Sequence, residues 1–233
     1  MIATEQHLRQ TFLFADIAGF TALTEAHGDE QAADLVAGFC RNVRALLPTY
    51  NGDEVKTIGD AVMVRVPKAA DAVRLGLAVV ADAHDRPRFP IVRVGMHTGS
   101  AVERDGDWFG AAVNLAARVA AAAKGDEVLL TADTRAAAGA PEGVEFETRG
   151  RERFRNVAEP VELHRAWQAG TGREALAIDP VCRMAIAPEH CAGHLQYENR
   201  DYCFCSLECA AAFAGNPARY AEPRTRVKPR AGR

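Results

Sequence analysis

The chain has 233 residues, 48% of them hydrophobic and 25% charged, with a formal net charge of −3. That composition excludes collagen-like, disordered and membrane-spanning chains, and at roughly 100–200 residues per domain the length suits one domain or two unequal ones. The near-neutral charge offers no footprint for nucleic acid as the main partner. The opening MIATEQHLRQ lacks a long apolar stretch before a small-residue cleavage site, so no signal peptide is expected and the chain is placed in the cytoplasm. A spanning helix needs about 20 apolar residues. The nearest stretch, Gly110 to Ala123, is interrupted by Asn114 and Arg118, so no membrane partner is expected.

In chain order, Phe12 to Asp16 reads as a short apolar strand ending in a carboxylate. A helix follows, with Leu35, Val36, Phe39, Cys40, Val43, Leu46 and Leu47 on one face at a 3.6-residue period. Cys40 belongs to that stripe and is expected to pack in the core. Val55 to Ile58 and Ala61 to Val66 flank Gly59-Asp60 and read as a β-hairpin. A helix over about Ala70 to His84 precedes the strand Ile91 to Met96. A second hairpin-like return is expected over Thr98 to Glu103, and a helix near Gly110. Val128 to Thr131 and Val161 to Trp167 read as late strands. This order predicts an α+β fold with helices over a mixed sheet.

The composition then changes. Ala169-Gly170-Thr171-Gly172 reads as a linker. Beyond it cysteines and histidines appear and helical periodicity is nearly absent. The expected division is a domain over 1–168, a linker over 169–176, a small module over 177–222 and a basic tail over 223–233. The tail carries Arg224, Arg226, Lys228, Arg230 and Arg233 without an apolar anchor and is expected to be solvated. Five of the six cysteines fall between Cys182 and Cys209. In a reducing compartment such a cluster is more often a metal site than a disulfide framework.

Phosphoryl chemistry on a nucleotide needs hard cations held by carboxylates. Asp16 ends a strand just before a glycine-containing turn, and Asp60 follows the hairpin glycine. Two turn aspartates alone are better explained as turn formers and helix caps. The surrounding pattern is more specific: FADIAGFTALTE, VKTIGDAVM, GMHTGSA and DWFGAAVNLAARV occur in that order. Together they closely resemble the class III nucleotidyl cyclase catalytic domain over about residues 10–167.

The resemblance implies a ferredoxin-like mixed-sheet domain making 3′,5′-cyclic AMP and pyrophosphate from ATP. It implies that Asp16 and Asp60, with the backbone carbonyl of Ile17, hold two Mg²⁺ or Mn²⁺ ions. Lys56 and Asp107 match the pair that reads adenine, by an ammonium on a ring acceptor and a carboxylate on the exocyclic amine. Guanine presents the opposite pattern there, so the pair disfavours GTP. Asn114 and Arg118, four apart on one helix face, match the ribose-orienting asparagine and the arginine on the α-phosphate. Arg155 in FRNVAEPVEL matches the triphosphate-binding lysine, a departure that keeps the charge but not the geometry. His97 in GMHTGS is expected to be a satisfied core histidine and not a base. In the family each site forms between two subunits, and this chain carries both halves, so a homodimer with two shared sites is implied.

DPVCRM, YENRDYCFCSLEC and FAGNPARY resemble a YHS domain over about residues 178–221. Arg183 and Asn199 stand where glycines are usual. Cys182, Cys205 and Cys209, spaced C-x22-C-x3-C, could hold Zn²⁺ or Cu⁺. Cys203, Cys191, His194 and His190 are all open as a fourth ligand. A packed thiol core or a redox pair is the alternative. The expected function is an adenylate cyclase regulated by a C-terminal metal or thiol module. The alternative is a low-turnover nucleotide-binding sensor signalling through that module.

Overall fold

A computed structural model describes residues 9–86, 89–170 and 176–221. Residues 171–175 of the expected linker and the basic tail lie outside this range. Seven strands make the main sheet: β1 (Arg9–Ile17), β2 (Asp53–Ile58), β3 (Ala61–Val66), β4 (Val92–Ser100), β7 (Val128–Thr131), β8 (Val144–Glu152) and β9 (Val161–Gln168). They run in the order β2-β3-β1-β4-β7-β9-β8. Only β4 and β7 pair in parallel. The sheet is therefore mixed, and the α+β expectation holds.

Side chains alternate across each strand. On β1, Leu13, Ala15 and Ile17 join the core under α2 (Asp29–Leu46) and α3 (Ala69–His84). Phe12 and Phe14 point to the other face and pack with Ala112, Val113, Ala116 and Ala120 of α4 (Ala111–Ala122). Asp16 shares the parity of Phe12 and Phe14, so it emerges on the α4 face at the end of β1. The expected stripe on α2 is present, with Phe39, Cys40 and Val43 buried and Leu35, Val36 and Leu46 partly so. Cys40 is a core residue, 4% exposed.

The second hairpin lies further along than expected. Thr98 to Ser100 continue β4, and the return is made by β5 (Val102–Arg104) and β6 (Asp107–Phe109). Its turn is Asp105-Gly106, both with positive φ (53° and 77°). That is the strong two-residue hairpin signal, and it overrides the weaker glycine at 99. Three elements carried too little pattern to be expected. Helices α1 (Phe20–His27) and α5 (Ala132–Ala138) are short, and β8 is an edge strand whose outer half is wholly exposed. An edge strand with charged residues shows no apolar alternation.

The C-terminal part has two small hairpins. One pairs β10 (Ala177–Ile178) with β11 (Ala185–Ile186), the other β12 (Gly193–Tyr197) with β13 (Arg200–Phe204). It also contains the helices α6 (Leu207–Gly215) and α7 (Pro217–Tyr220), neither of which is expected from the sequence. The alanines of α6 blur its periodicity, but Ser206 caps it by accepting the Cys209 N–H, and Cys209 and Phe213 share its buried face. The two unusual residues of this part adopt the conformations that glycine would: Arg183 has φ 65° and Asn199 φ 59°. This part packs directly on α1 and α2. Leu23 and Ala32, each 1% exposed, lie in one cluster with Cys182, Met184, Phe204, Cys209 and Phe213. Among the described residues no helix is long and apolar enough to cross a membrane.

Candidate functional site

The register of β1 sets the acidic end of the site. Asp16 lies opposite Ala61 on one side and Arg93 on the other. The first pairing brings the Gly59-Asp60 turn beside Asp16. The second lets Arg93 donate to Asp16 Oδ2 from Nη2 at 2.6 Å and Nε at 2.8 Å. Burial, and then a hydrogen bond with Asp16, pushes the Asp60 carboxyl up to about 6. Two carboxylates this close repel unless a proton or a cation intervenes, so the donor set fits a divalent metal. Ile17 follows at the strand end. The chain then turns through Gly19, at φ 82°, into α1.

The opposite, cationic end lies on the same face. Lys56 is in register with Met63, which packs under α4, so Lys56 rises on the α4 side. Its Nζ donates to Asp107 Oδ2 at 2.6 Å. Asp107 Oδ1 accepts the Trp108 N–H at 2.7 Å. The Lys56 hydrogen bond holds the Asp107 carboxyl below the usual carboxylate range. The tight β5–β6 hairpin thus presents a carboxylate beside an ammonium, an acceptor beside a donor.

Helix α4 supplies the remaining groups. It starts at Gly110 and runs against β4 so closely that a methyl on Gly95 would overlap the backbone of Ala120. Asn114 is exposed on it and Arg118 is half-buried. Arg118 Nη1 is buried and has no hydrogen-bond partner among the described residues. A buried guanidinium nitrogen left unpaired is costly and fits an anionic ligand. Arg155 is exposed in the loop joining β8 to β9, and no hydrogen bond or ion pair ties it to the other groups among the described residues. His97 is buried and shares a 2.8 Å hydrogen bond between Nδ1 and Thr131 Oγ1. Burial lowers its pKa, in keeping with a core histidine.

A second cluster forms where the C-terminal part meets α1. Cys182 and Cys205 have their sulfurs 3.4 Å apart, and Cys205 and Cys209 theirs 3.8 Å apart. His27 Nε2 lies 3.6 Å from Cys205 Sγ and 3.9 Å from Cys209 Sγ. All four donor atoms fall within 4.8 Å of one another. Behind them Asp179, fully buried, accepts the N–H groups of Val181 and Cys182 on Oδ1 and that of Cys205 on Oδ2. Hydrogen bonds from Cys182 and then Cys205 hold the Cys209 thiol far below its usual range. Of the four residues left open as a fourth ligand, Cys191 and Cys203 are joined in a disulfide, and His190 and His194 are exposed. The fourth donor is His27, 155 residues before Cys182, outside the span where a local spacing argument looks.

Residues 2–164 match the model of the adenylate and guanylate cyclase catalytic domain, well over half of the chain. The chain belongs to this family. Residues 177–224 of the cyclase-family protein match the YHS domain. A pH-sensitive adenylate cyclase of Mycobacterium tuberculosis is 37% identical over 167 residues, covering 69% of this chain and 41% of the relative. An adenylate cyclase of Streptomyces coelicolor is 39% identical over 118 residues, 50% of this chain and 31% of the relative. The cyclase-family chain therefore spans less than half the length of these curated relatives. Among solved structures, an adenylate cyclase of Trypanosoma brucei in its monomeric state superposes with a TM-score of 0.66 at 25% identity, over 75% of this chain and 94% of that one. The adenylyl cyclase CyaB of P. aeruginosa shares the fold, with a TM-score of 0.60 at 23% identity over 71% and 97% of the two chains.

Arg93 at the acidic end of the cyclase-family site, and His27 and Asp179 at the thiol cluster, are not singled out by the sequence motifs. Arg93 was visible only as one charge in a strand, and the register against Asp16 gives it its role. His27 and Asp179 carried no spacing signal that ties them to the cysteines. The DPVC run did contain Asp179, and an aspartate two residues before a buried Cys-containing turn is a known device for holding backbone N–H groups.

Proposed function

We propose that this protein is an adenylate cyclase that converts ATP to 3′,5′-cyclic AMP and pyrophosphate. The observation that carries this is the presence of both halves of the chemistry on the α4 side of the main sheet: the Asp16–Asp60 carboxylate pair, and Lys56 of the sheet paired with Asp107 of the β5–β6 hairpin. Asp16 and Asp60, with the Ile17 carbonyl, would hold two Mg²⁺ or Mn²⁺ ions. When bound, these supply charge neutralisation at the phosphates and a lowered pKa for the attacking 3′-hydroxyl.

The chain's own residues do the rest. Arg93 neutralises Asp16 through Oδ2 and does not occupy its Oδ1. Lys56 donates to a ring nitrogen of adenine, and Asp107 accepts from the exocyclic amine, so the ion pair between them opens to admit the base. Asn114 orients the ribose. Arg118 meets the negative charge that builds on the α-phosphate as the 3′-hydroxyl attacks and pyrophosphate leaves. Arg155 grips the leaving phosphates.

Each site is shared across a homodimer, with the carboxylates from one subunit and Lys56, Asp107, Asn114 and Arg118 from the other. Ile58 and Phe109, 51% and 52% exposed beside Lys56, support a subunit contact there. The cyclase part corresponds to 1–168 and the YHS-like module to 177–222. Cys182, Cys205 and Cys209 carry a separate thiophilic ion, Zn²⁺ or Cu⁺.

Product analysis with ATP and with GTP, each with Mg²⁺ and Mn²⁺, tests the reading. Cyclic AMP from ATP and little or no product from GTP is the expected result. No cyclic nucleotide under any of the four conditions would refute it.

A further inference from the structure

The thiol cluster is complete only with a residue from outside the C-terminal module. With zinc–sulfur bonds of about 2.3 Å and zinc–nitrogen bonds of about 2.0 Å, tetrahedral edges are about 3.8 Å between sulfurs and about 3.5 Å from sulfur to nitrogen. The separations of 3.4 and 3.8 Å between sulfurs and of 3.6 and 3.9 Å from sulfur to nitrogen lie within about 0.4 Å of those edges. The three sulfurs are buried and the imidazole is half-buried, so the four donors close a site with no open position. The Asp179 carboxylate, which takes the Cys182 and Cys205 N–H groups, fixes two of the ligand loops from behind.

His27 is the last residue of α1, and α1 begins immediately after the Asp16–Gly19 turn. The module touches that turn as well. A methyl on Gly19 would fall 2.8 Å from Cβ of Arg183, the residue after Cys182. Pro90, just before β4, bridges to Met184. A cavity of about 610 Å³ between the two parts is lined by Ala18, Arg93, Lys124, Ile178 and Arg183 among others. The cluster therefore lies at one end of a short rigid element whose other end carries the acidic turn.

We infer that His27 joins Cys182, Cys205 and Cys209 in a Cys3His site for zinc(II), and that the bound ion clamps α1 to the module and so sets the position of the Asp16–Gly19 turn. The first half deepens the thiol-site reading by naming the ligand contributed by the cyclase domain, and the second half rests on the cyclase reading. Without the ion, His27 has only weak sulfur contacts, and the C-terminal end of α1 is held on the module by the packing of Leu23 and Ala26 and by the exposed Glu25–Arg219 pair, with Phe20 packed at its start. The module then senses zinc through the stiffness of one helix, not through a contact with substrate.

The test uses the full chain, purified under reducing conditions without chelator. Zinc content, the thiolate-to-cobalt charge-transfer bands after Co²⁺ replacement, and hydrogen exchange of the amides of residues 20–27 are measured for the wild type, His27→Ala and His27→Cys. The wild type takes up zinc and shows a tetrahedral cobalt spectrum. His27→Ala loses at least tenfold in affinity and its visible cobalt bands change. His27→Cys keeps the ion, and its charge-transfer intensity rises by about a third because four thiolates replace three. It also serves where His27→Ala does not fold. Removing zinc from the wild type speeds exchange over residues 20–27.

Wild-type affinity and spectrum in His27→Ala, or no thiolate–cobalt bands in the wild type, would overturn the site. Loss of binding in His27→Cys would do so too. Unchanged exchange on zinc removal would overturn the clamp. None of these readouts needs turnover, so zinc binding with no cyclic AMP production would sink the cyclase reading alone.

Discussion

Replacing Lys56 by alanine separates base reading from folding. In the free protein Lys56 and Asp107 form a 2.6 Å ion pair with side chains 38% and 29% exposed. A pair that accessible contributes little to stability, because solvent screens it. The variant should therefore unfold within a few degrees of the wild type. In the proposed substrate complex the same ammonium would donate to adenine, and a hydrogen bond from a charged donor contributes about 1.5–3 kcal/mol. At about 1.4 kcal/mol per tenfold, kcat/KM for ATP should fall roughly 10- to 150-fold. Activity with GTP, which never gained that bond, should change far less, so the preference for ATP collapses by nearly the same factor. The assay is steady-state cyclisation of both nucleotides alongside a thermal melt. An ATP-to-GTP ratio unchanged in a folded Lys56→Ala protein would refute the base-reading assignment.

Other outcomes follow from the same geometry. Asp60 has its carboxyl raised to about 6 from 3.8, so in the metal-free protein its contribution favours folding below the unfolded value and is lost as pH rises through about 6. A divalent ion needs the ionised form. The Mn²⁺ concentration for half-maximal thermal stabilisation should therefore rise about tenfold per unit as pH falls below 6, and a flat requirement from pH 5 to 7 would argue against Asp60 as a ligand. Under the proposed shared-site homodimer, Asp16→Ala and Arg118→Ala should each be inactive alone but regain up to about a quarter of wild-type activity when mixed and re-paired, since half the dimers would be mixed and hold one intact site. No recovery in verified mixed dimers would count against shared sites. Gly95→Ala would push α4 off β4 and carry Asn114 and Arg118 with it, costing about 1–3 kcal/mol of stability and more than tenfold in kcat. A variant with wild-type kcat would show that α4 is not held by this contact.

Much of the cyclase part was legible because its signals are local. Gly59-Asp60 between two apolar runs is sufficient to mark a hairpin, and the spacing of Asn114 and Arg118 places them one turn apart wherever the helix goes. The second hairpin has a local signal too, in Asp105-Gly106, a few residues beyond the expected Thr98 to Glu103. The short helices α1 and α5 and the charged edge strand β8 were harder, because their type is decided by what they pack against and not by their own pattern. In the C-terminal part the same limit is sharper. Its cysteines announce themselves, but which of them pair in a disulfide and which remain thiols depends on where two hairpins fold.

By itself, the sequence determined the elements of the sheet's inner strands, the order of the four cyclase motifs and the chemical types available for metal, base and phosphate. Only the tertiary structure decided which of those groups meet. Arg93 reaches Asp16 across 77 residues because β1 and β4 pair in one register, and Lys56 reaches Asp107 across 51 because the β5–β6 hairpin folds back over β2. His27 comes to Cys205 across 178 residues because the module buries its core on α1 and α2. A local pattern fixes the period of side chains along an element, whereas register and packing between elements fix their neighbours, and those depend on the whole core at once.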